Sequence, residues 1–413
     1  MGLRINKDLK LNTVEITEEN FPDKDFRNFL LKQDYAEDGW LDLLDITSLK
    51  IGVGDSIHDL QGIEYFTELT ELYIEFPRYE PASLDLSENI NLKKLEVVGG
   101  KIPTLDLSKN IYLKELKLAG NCYLAMLDLS SNKNLESLNI SDTYYLTKLD
   151  LSKNINLKEL KFDGYGLTRL NLKKNIDLEH LSLHNISGMY SLDLSKNANL
   201  KELKLRNLGL TVLDLSHNAN LKVLNCTACS KLTTLDLSNN INLEELAYSR
   251  IPRLEKIILK KNVNLKSLEL EECSRQVTLD LSNNTNLEEL SLKSLSRLAK
   301  LDLSHNAKLK VLNCSGYKKL TTLDVSHNTM LEILDCSNNQ LAELDVSKCT
   351  KLKELDCSNN QLTALDVSKC TRLQKLDCGN NQLTALDVSA NLGLMSLNFY
   401  TPNRDIKVLK KLP

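Results

Sequence analysis

The residues able to do chemistry in this chain are few, and each set has a spacing that can be tested. Cys226-Thr-Ala-Cys229 has the spacing of a redox pair or of half a zinc site. No second pair at ligand spacing lies beside it. Asp34, Asp38, Gly39, Asp42 and Asp45 fall where positions 1, 5, 6, 9 and 12 of a calcium-binding loop would stand. Position 3 is Ala36, which offers no side-chain oxygen, and Asp45 replaces the longer Glu that chelates through both oxygens. The plainer reading of Asp34, Asp38, Asp42 and Asp45 is a turn between two helical pieces of an N-terminal cap. His180 and His184 share one face if their segment is a strand, but four strand residues put about 13 Å between them, too far to share a metal. There is no G-x-S-x-G, no P-loop and no H-E-x-x-H. Neither a catalytic residue nor a resident cofactor is expected.

What must position any working residue is a repeat. Leu-Asp-Leu-Ser or a close variant starts at Leu84, Leu105, Leu127, Leu149, Leu170 and onward to Leu365 and Leu386, at intervals of 21 or 22 residues. A fixed short period implies stacked equivalent coils with contacts between neighbours only. Within a coil such as Leu352 to Leu362, LKELDCSNNQL, side chains alternate. Leu355 and Cys357 face in, while Glu354, Asp356 and Ser358 face out. The return segment LDVS alternates in the same way and carries its own recurrent Asn, from Asn89 and Asn110 to Asn328 and Asn391. Asn at a bend satisfies backbone groups left unpaired there. A return path of about ten residues leaves little room for a typical helix, so short extended or 3-10 pieces are expected on that side. The cysteines fall mostly on these columns. Cys226, Cys314, Cys336, Cys357 and Cys378 share an inward column, and Cys349 and Cys370 replace the recurrent Asn. Free Cys packs as a small hydrophobe, so reduced structural thiols are expected.

The segment LKELDCSNNQL fits L-x-x-L-x-L-x-x-N-x-L, and in this the chain resembles the leucine-rich repeat proteins. The resemblance covers roughly residues 61–397. The LDLSKN return segments are similar to the LDVSKN and LDLSKN segments of internalin-like bacterial surface proteins, including Bacteroides-type ones. The FPDxxFRxxL segment and the GIEYFTxLTxL segment at Gly62 to Leu72 also resemble what precedes the repeats there. The resemblance implies a leucine-rich repeat solenoid, a right-handed β-α superhelix formally of the α/β class. It would carry a parallel sheet on its concave face and short extended segments on its convex face. The expected organisation is a cap over residues 1–60 with a short helix from Phe26, about sixteen coils over 61–397, and a C-terminal cap over 398–413.

With 42% hydrophobic and 26% charged residues the chain suits a soluble fold, and 5% aromatics leave the core to Leu. A net charge of −4 with no block of Lys and Arg disfavours nucleic acid. No apolar run is long enough to span a bilayer, and residues 1–20 lack a signal-peptide core. That leaves a cytoplasmic protein or one whose export signal has been removed, whereas the resemblance implies secretion or the cell surface.

The LDLS side hardly varies between coils and reads as scaffold; the strand side varies and reads as the binding face. Candidate binding residues are Lys117, Lys161 and Lys204 on the strands. Tyr123, Tyr144, Tyr145, Tyr165 and Tyr190 on the turns beyond them join the set. So does the acidic column Asp335, Asp356 and Asp377, where stacked like charges are unfavourable and call for a cationic partner or for screening by Asn and Ser. The expected function is a monomeric, non-catalytic module that binds a protein partner, with a glycan as the alternative ligand. A structural stalk and an intracellular inhibitor or immunity-like protein are the runner-up roles. Adhesion is implied by the resemblance alone.

Overall fold

The computed structural model describes residues 12–76, 407–409 and 83–400, apart from 274, 276, 277, 296, 299 and 318. The chain forms two compact units, Met1–Asn199 and Leu200–Pro413.

In the first unit the parallel ladder runs through Ser48–Ile51, Glu71–Glu75, Lys94–Val98, Glu115–Ala119, Ser137–Thr143, Glu159–Gly164 and His180–His184. Its register stacks Leu72, Leu95, Leu116, Leu138, Leu160 and Leu181 in one buried column. Ile74, Val97, Leu118, Ile140, Phe162 and Leu183 form a second. Each fully buried Leu contributes about 2 kcal/mol of transfer free energy, so the repeated column supplies the core that few aromatics could. The first rung, Ser48–Ile51, lies before residue 61, because Leu49 and Ile51 continue both apolar columns into the capping region.

That region also holds the helix Lys24–Leu30, which buries Phe26, Phe29 and Leu30. Its N-cap Asp23 accepts the Phe26 N–H through one oxygen (2.8 Å) and the His58 and Asp59 N–H groups through the other. Phe21 packs edge-on against Phe26 and Phe66. Gly62 is fixed by this packing: its φ is +105°, and a Cβ there would meet Phe21 at 2.3 Å.

In the second unit the ladder begins with Glu202–Arg206 and Val223–Thr227 and ends with Lys375–Asp377 and Ser396–Asn398. The inward column here is Leu205, Cys226, Tyr248, Leu270 and Leu292, followed by Cys314, Cys336, Cys357 and Cys378, all buried.

Return segments are short. Thr104–Leu105 pairs Met126–Leu127, Thr234–Asp236 pairs Lys256–Ile258 and Ala385–Asp387 pairs Lys407–Leu409, and the rest is turn. No described return segment is helical. The recurrent Asn explains the regularity. Asn154 is buried and donates through Nδ2 to Leu129 O (3.0 Å) and Asn132 O (2.9 Å) of the preceding coil. The recurrent Asp is also structural: Asp106 Oδ1 accepts the Ser108 N–H at 2.9 Å, and the same Asp-x-Ser turn recurs coil after coil.

Candidate functional site

The tyrosine edge lies in the first unit, where strands leave the sheet. Tyr123 and Tyr145 stack across successive coils with ring centroids 6.2 Å apart, and Tyr144 and Tyr165 stack at 5.7 Å. Tyr144, Tyr145, Tyr165 and Tyr190 are each 50–59% exposed. Lys101 Nζ sits 5.2 Å from the centre of the Tyr123 ring. The pairing follows from the repeat, because Leu124, Leu146 and Leu167 are buried at one coil position and hold the residues before them in line. In the next coil the Tyr145 position is Gly166, where a Cβ would lie 2.5 Å from Leu146 O. Tyr190 lies one residue past buried Met189, on the other side of that anchor from the stacked pairs.

The sheet lysines are occupied. Lys117 pairs with Glu96 on the neighbouring strand, Lys161 with Glu159 two residues earlier (2.6 Å), and Lys204, in the second unit, with Glu202. A shallow hollow of about 160 Å³ lies among Lys94, Lys117, Lys161 and their acidic partners, over the short side chains of Ser137 and Asn139.

Asp335, Asp356 and Asp377 stand side by side in register. Their hydrogen bonds are local. Ser337 and Ser358 each donate N–H and O–H to the preceding Asp, and Gly379 N–H donates to Asp377. Asn313 and Asn398 donate to the outer oxygens of Asp335 and Asp377. Asp356, in the middle, has its pKa raised by desolvation, and its two acidic neighbours add to the shift. Asn thus screens the outer two members of the column and Ser the first two.

The remaining candidates separate. Ala36–Glu37 and Trp40–Asp42 are antiparallel strands joined by Asp38 (φ +49°) and Gly39 (φ +82°). Two positive-φ residues make a tight hairpin turn, which corrects the reading of this stretch as a link between helical pieces. It also spreads Asp34, Asp38, Asp42 and Asp45 along a hairpin, and among the described residues no three His, Cys, Asp or Glu come together as a metal set. Cys226 and Cys229 are buried, and desolvation raises both thiols. His184 lies 3.8 Å from Asp163 and its Nε2 is 3.1 Å from Ser182 Oγ.

Two overlapping stretches, residues 329–369 and 350–391, match the family model for leucine-rich repeats in two copies. No curated protein matches the chain. Among solved structures, the functional domain of InlJ from Listeria monocytogenes, which includes a cysteine ladder, is similar at 29% identity. The likeness covers 92% of this chain and 78% of that one, with a TM-score of 0.68. In these repeats and in its fold the chain is similar to the internalin-like leucine-rich repeat proteins. A Leptospira interrogans leucine-rich repeat protein (23% identity, 83% and 92% covered, TM-score 0.70) and YopM from Yersinia enterocolitica (20%, 90% and 91%, 0.51) share its fold.

The chain also carries features that its sequence had not brought forward. At the residue before the strand, charge alternates over stretches of the ladder: Lys114 and Lys158 flank Glu136, and Lys222 and Lys266 flank Glu244. The signal was present as Lys or Glu after the same Leu in successive coils. A second, exposed Asn ladder also runs beside it, with Asn134, Asn156, Asn242 and Asn264 each donating to a carbonyl one coil back.

Proposed function

We propose that this protein is a non-catalytic binding module whose anchor is the tyrosine edge of the first unit and whose ligand is a protein. Leucine-rich repeat proteins bind protein partners, and that general role applies here. The observation that carries the finer reading is the pair of stacked, half-exposed tyrosine pairs. Tyr is enriched among residues that dominate binding energy, and rings held in stacks lose little freedom on docking. The strand lysines are weaker anchors because a partner must first displace their carboxylates. Residues before 61 and after 397 act as end caps in this reading, supported by the packing of Phe21, Phe26 and Phe66 and by the strand Lys407–Leu409.

The test is a selection of binders from a random displayed peptide library against the intact chain. Their affinities are then measured for wild type, Tyr144→Ala/Tyr165→Ala and Lys117→Ala/Lys161→Ala. The tyrosine variant is expected to lose at least tenfold for most binders and the lysine variant less than threefold. The reverse order would overturn the anchor assignment.

A further inference from the structure

We infer that the segment docking on the tyrosine edge is an acidic polypeptide, recognised by Lys148 and Arg169. This rests on the preceding reading and names the chemistry of the partner. Lys148 and Arg169 occupy the same position in consecutive coils, directly before Leu149 and Leu170, three and four residues beyond Tyr145 and Tyr165. Three to four residues of extended chain span roughly 10–13 Å, within reach of one bound segment. Both side chains are exposed, and among the described residues neither makes an ion pair or side-chain hydrogen bond.

Elsewhere on this unit several cations meet acids, while Lys153, Lys174 and Lys196 follow one another at the return bend, away from the tyrosines. At the strand entry the chain sets Glu136 between Lys114 and Lys158, so each Lys meets an opposite charge one coil away. Lys94, Lys117, Lys161 and Lys173 also have acidic partners. Lys148 and Arg169 are like charges on adjacent coils with no acid between them, an arrangement that is unfavourable alone and is relieved by an anion from outside. Arg169 would take a carboxylate through two parallel N–H donors, and Lys148 would act as a point charge beside it.

The stacked rings favour a polypeptide over a charged sugar. Tyr123 and Tyr145, and Tyr144 and Tyr165, turn their faces on each other at 24° and 28° between planes. Each ring thereby gives one face to its partner, and Lys101 lies by Tyr123, so edges and hydroxyls offer more to a main chain and its side chains than the remaining faces offer to a sugar. Charge complementarity of this kind sets association rate and salt dependence.

The experiment measures binding of the intact chain to immobilised poly-L-glutamate, to hyaluronate (a uronate polymer) and to poly-L-lysine at 50 and 300 mM salt. Wild type is expected to prefer poly-L-glutamate over hyaluronate by at least fivefold. Lys148→Glu/Arg169→Glu should lose at least tenfold, while Lys133→Glu, a charge reversal at the bend of a neighbouring coil, should stay within twofold. Equal loss in both variants would mean diffuse attraction and would overturn the proposal. A preference for hyaluronate or poly-L-lysine would overturn it as well. Displayed peptides that require the tyrosines but are indifferent to Lys148 and Arg169 would remove this inference and leave the tyrosine anchor standing. Peptides indifferent to both would remove the anchor itself.

Discussion

Asp193 shows how a residue that looks like surface decoration serves the fold. The Ser195 hydroxyl and N–H, with Lys173, lower its pKa to about 2. Ser108, Ser130 and Ser152 lower Asp106, Asp128 and Asp150 in the same way, backbone N–H first. An acid depressed in the folded state stabilises it above the unfolded pKa of about 4, and that contribution disappears as pH falls through the folded value. Urea midpoints should therefore hold from pH 7 to about 5 and fall steeply between pH 4 and 2, with a shallower acid limb in Asp193→Asn. A midpoint that rises on acidification would contradict this account. Cys370 makes the opposite case. It stands where Asn recurs and offers one weak S–H to Val346 O at 3.6 Å, while Asn391, a coil later, donates twice. Cys370→Asn should raise unfolding free energy by about 1 kcal/mol, read from urea melts.

At the scale of the coil, sequence and geometry meet at the bends. Many strand exits take a left-handed residue: Gly120, Asn185, Asn207, Asn338, Asn359 and Asn380 fill it readily, while Ala228, Arg250 and Glu272 adopt it at some strain. Gly166 is restricted for another reason, the close approach of Leu146 O. Gly166→Ala should therefore lower stability by about 2 kcal/mol and disturb the tyrosine stacks beside it. A melt within 0.5 kcal/mol of wild type would show that the Leu146 backbone yields more easily than close packing implies. The exposed ion pairs of the strand-entry column belong to this scale too. Each is worth little alone, but alternation of sign penalises any slip of a coil against its neighbour.

At the scale of the molecule, coils that touch only neighbours should fail locally. Asn154→Ala leaves Leu129 O and Asn132 O without their buried donor and should cost about 2–4 kcal/mol. Hydrogen exchange should accelerate in the strands Ser137–Thr143 and Glu159–Gly164 while Glu354–Asp356 and Lys375–Asp377 keep their protection. Uniform loss of protection would argue against neighbour-limited stability. The sequence alone determined the parallel ladder, its inward Leu and Cys columns, the recurrent Asn as a partner for backbone groups at the bends and the absence of room for return helices. All of these follow from period and alternation, which are properties of a single strand direction. It also pointed to the tyrosines, but not to their pairing into two stacks. It missed the hairpin at Asp38-Gly39, where a spacing that fits a cation loop also fits a two-residue turn. Only the tertiary structure decided that Lys117 and Lys161 are held by Glu96 and Glu159 while Lys148 and Arg169 are not. Whether a charge is met depends on what the next coil places a few ångströms away, and that distance is created when the coils stack.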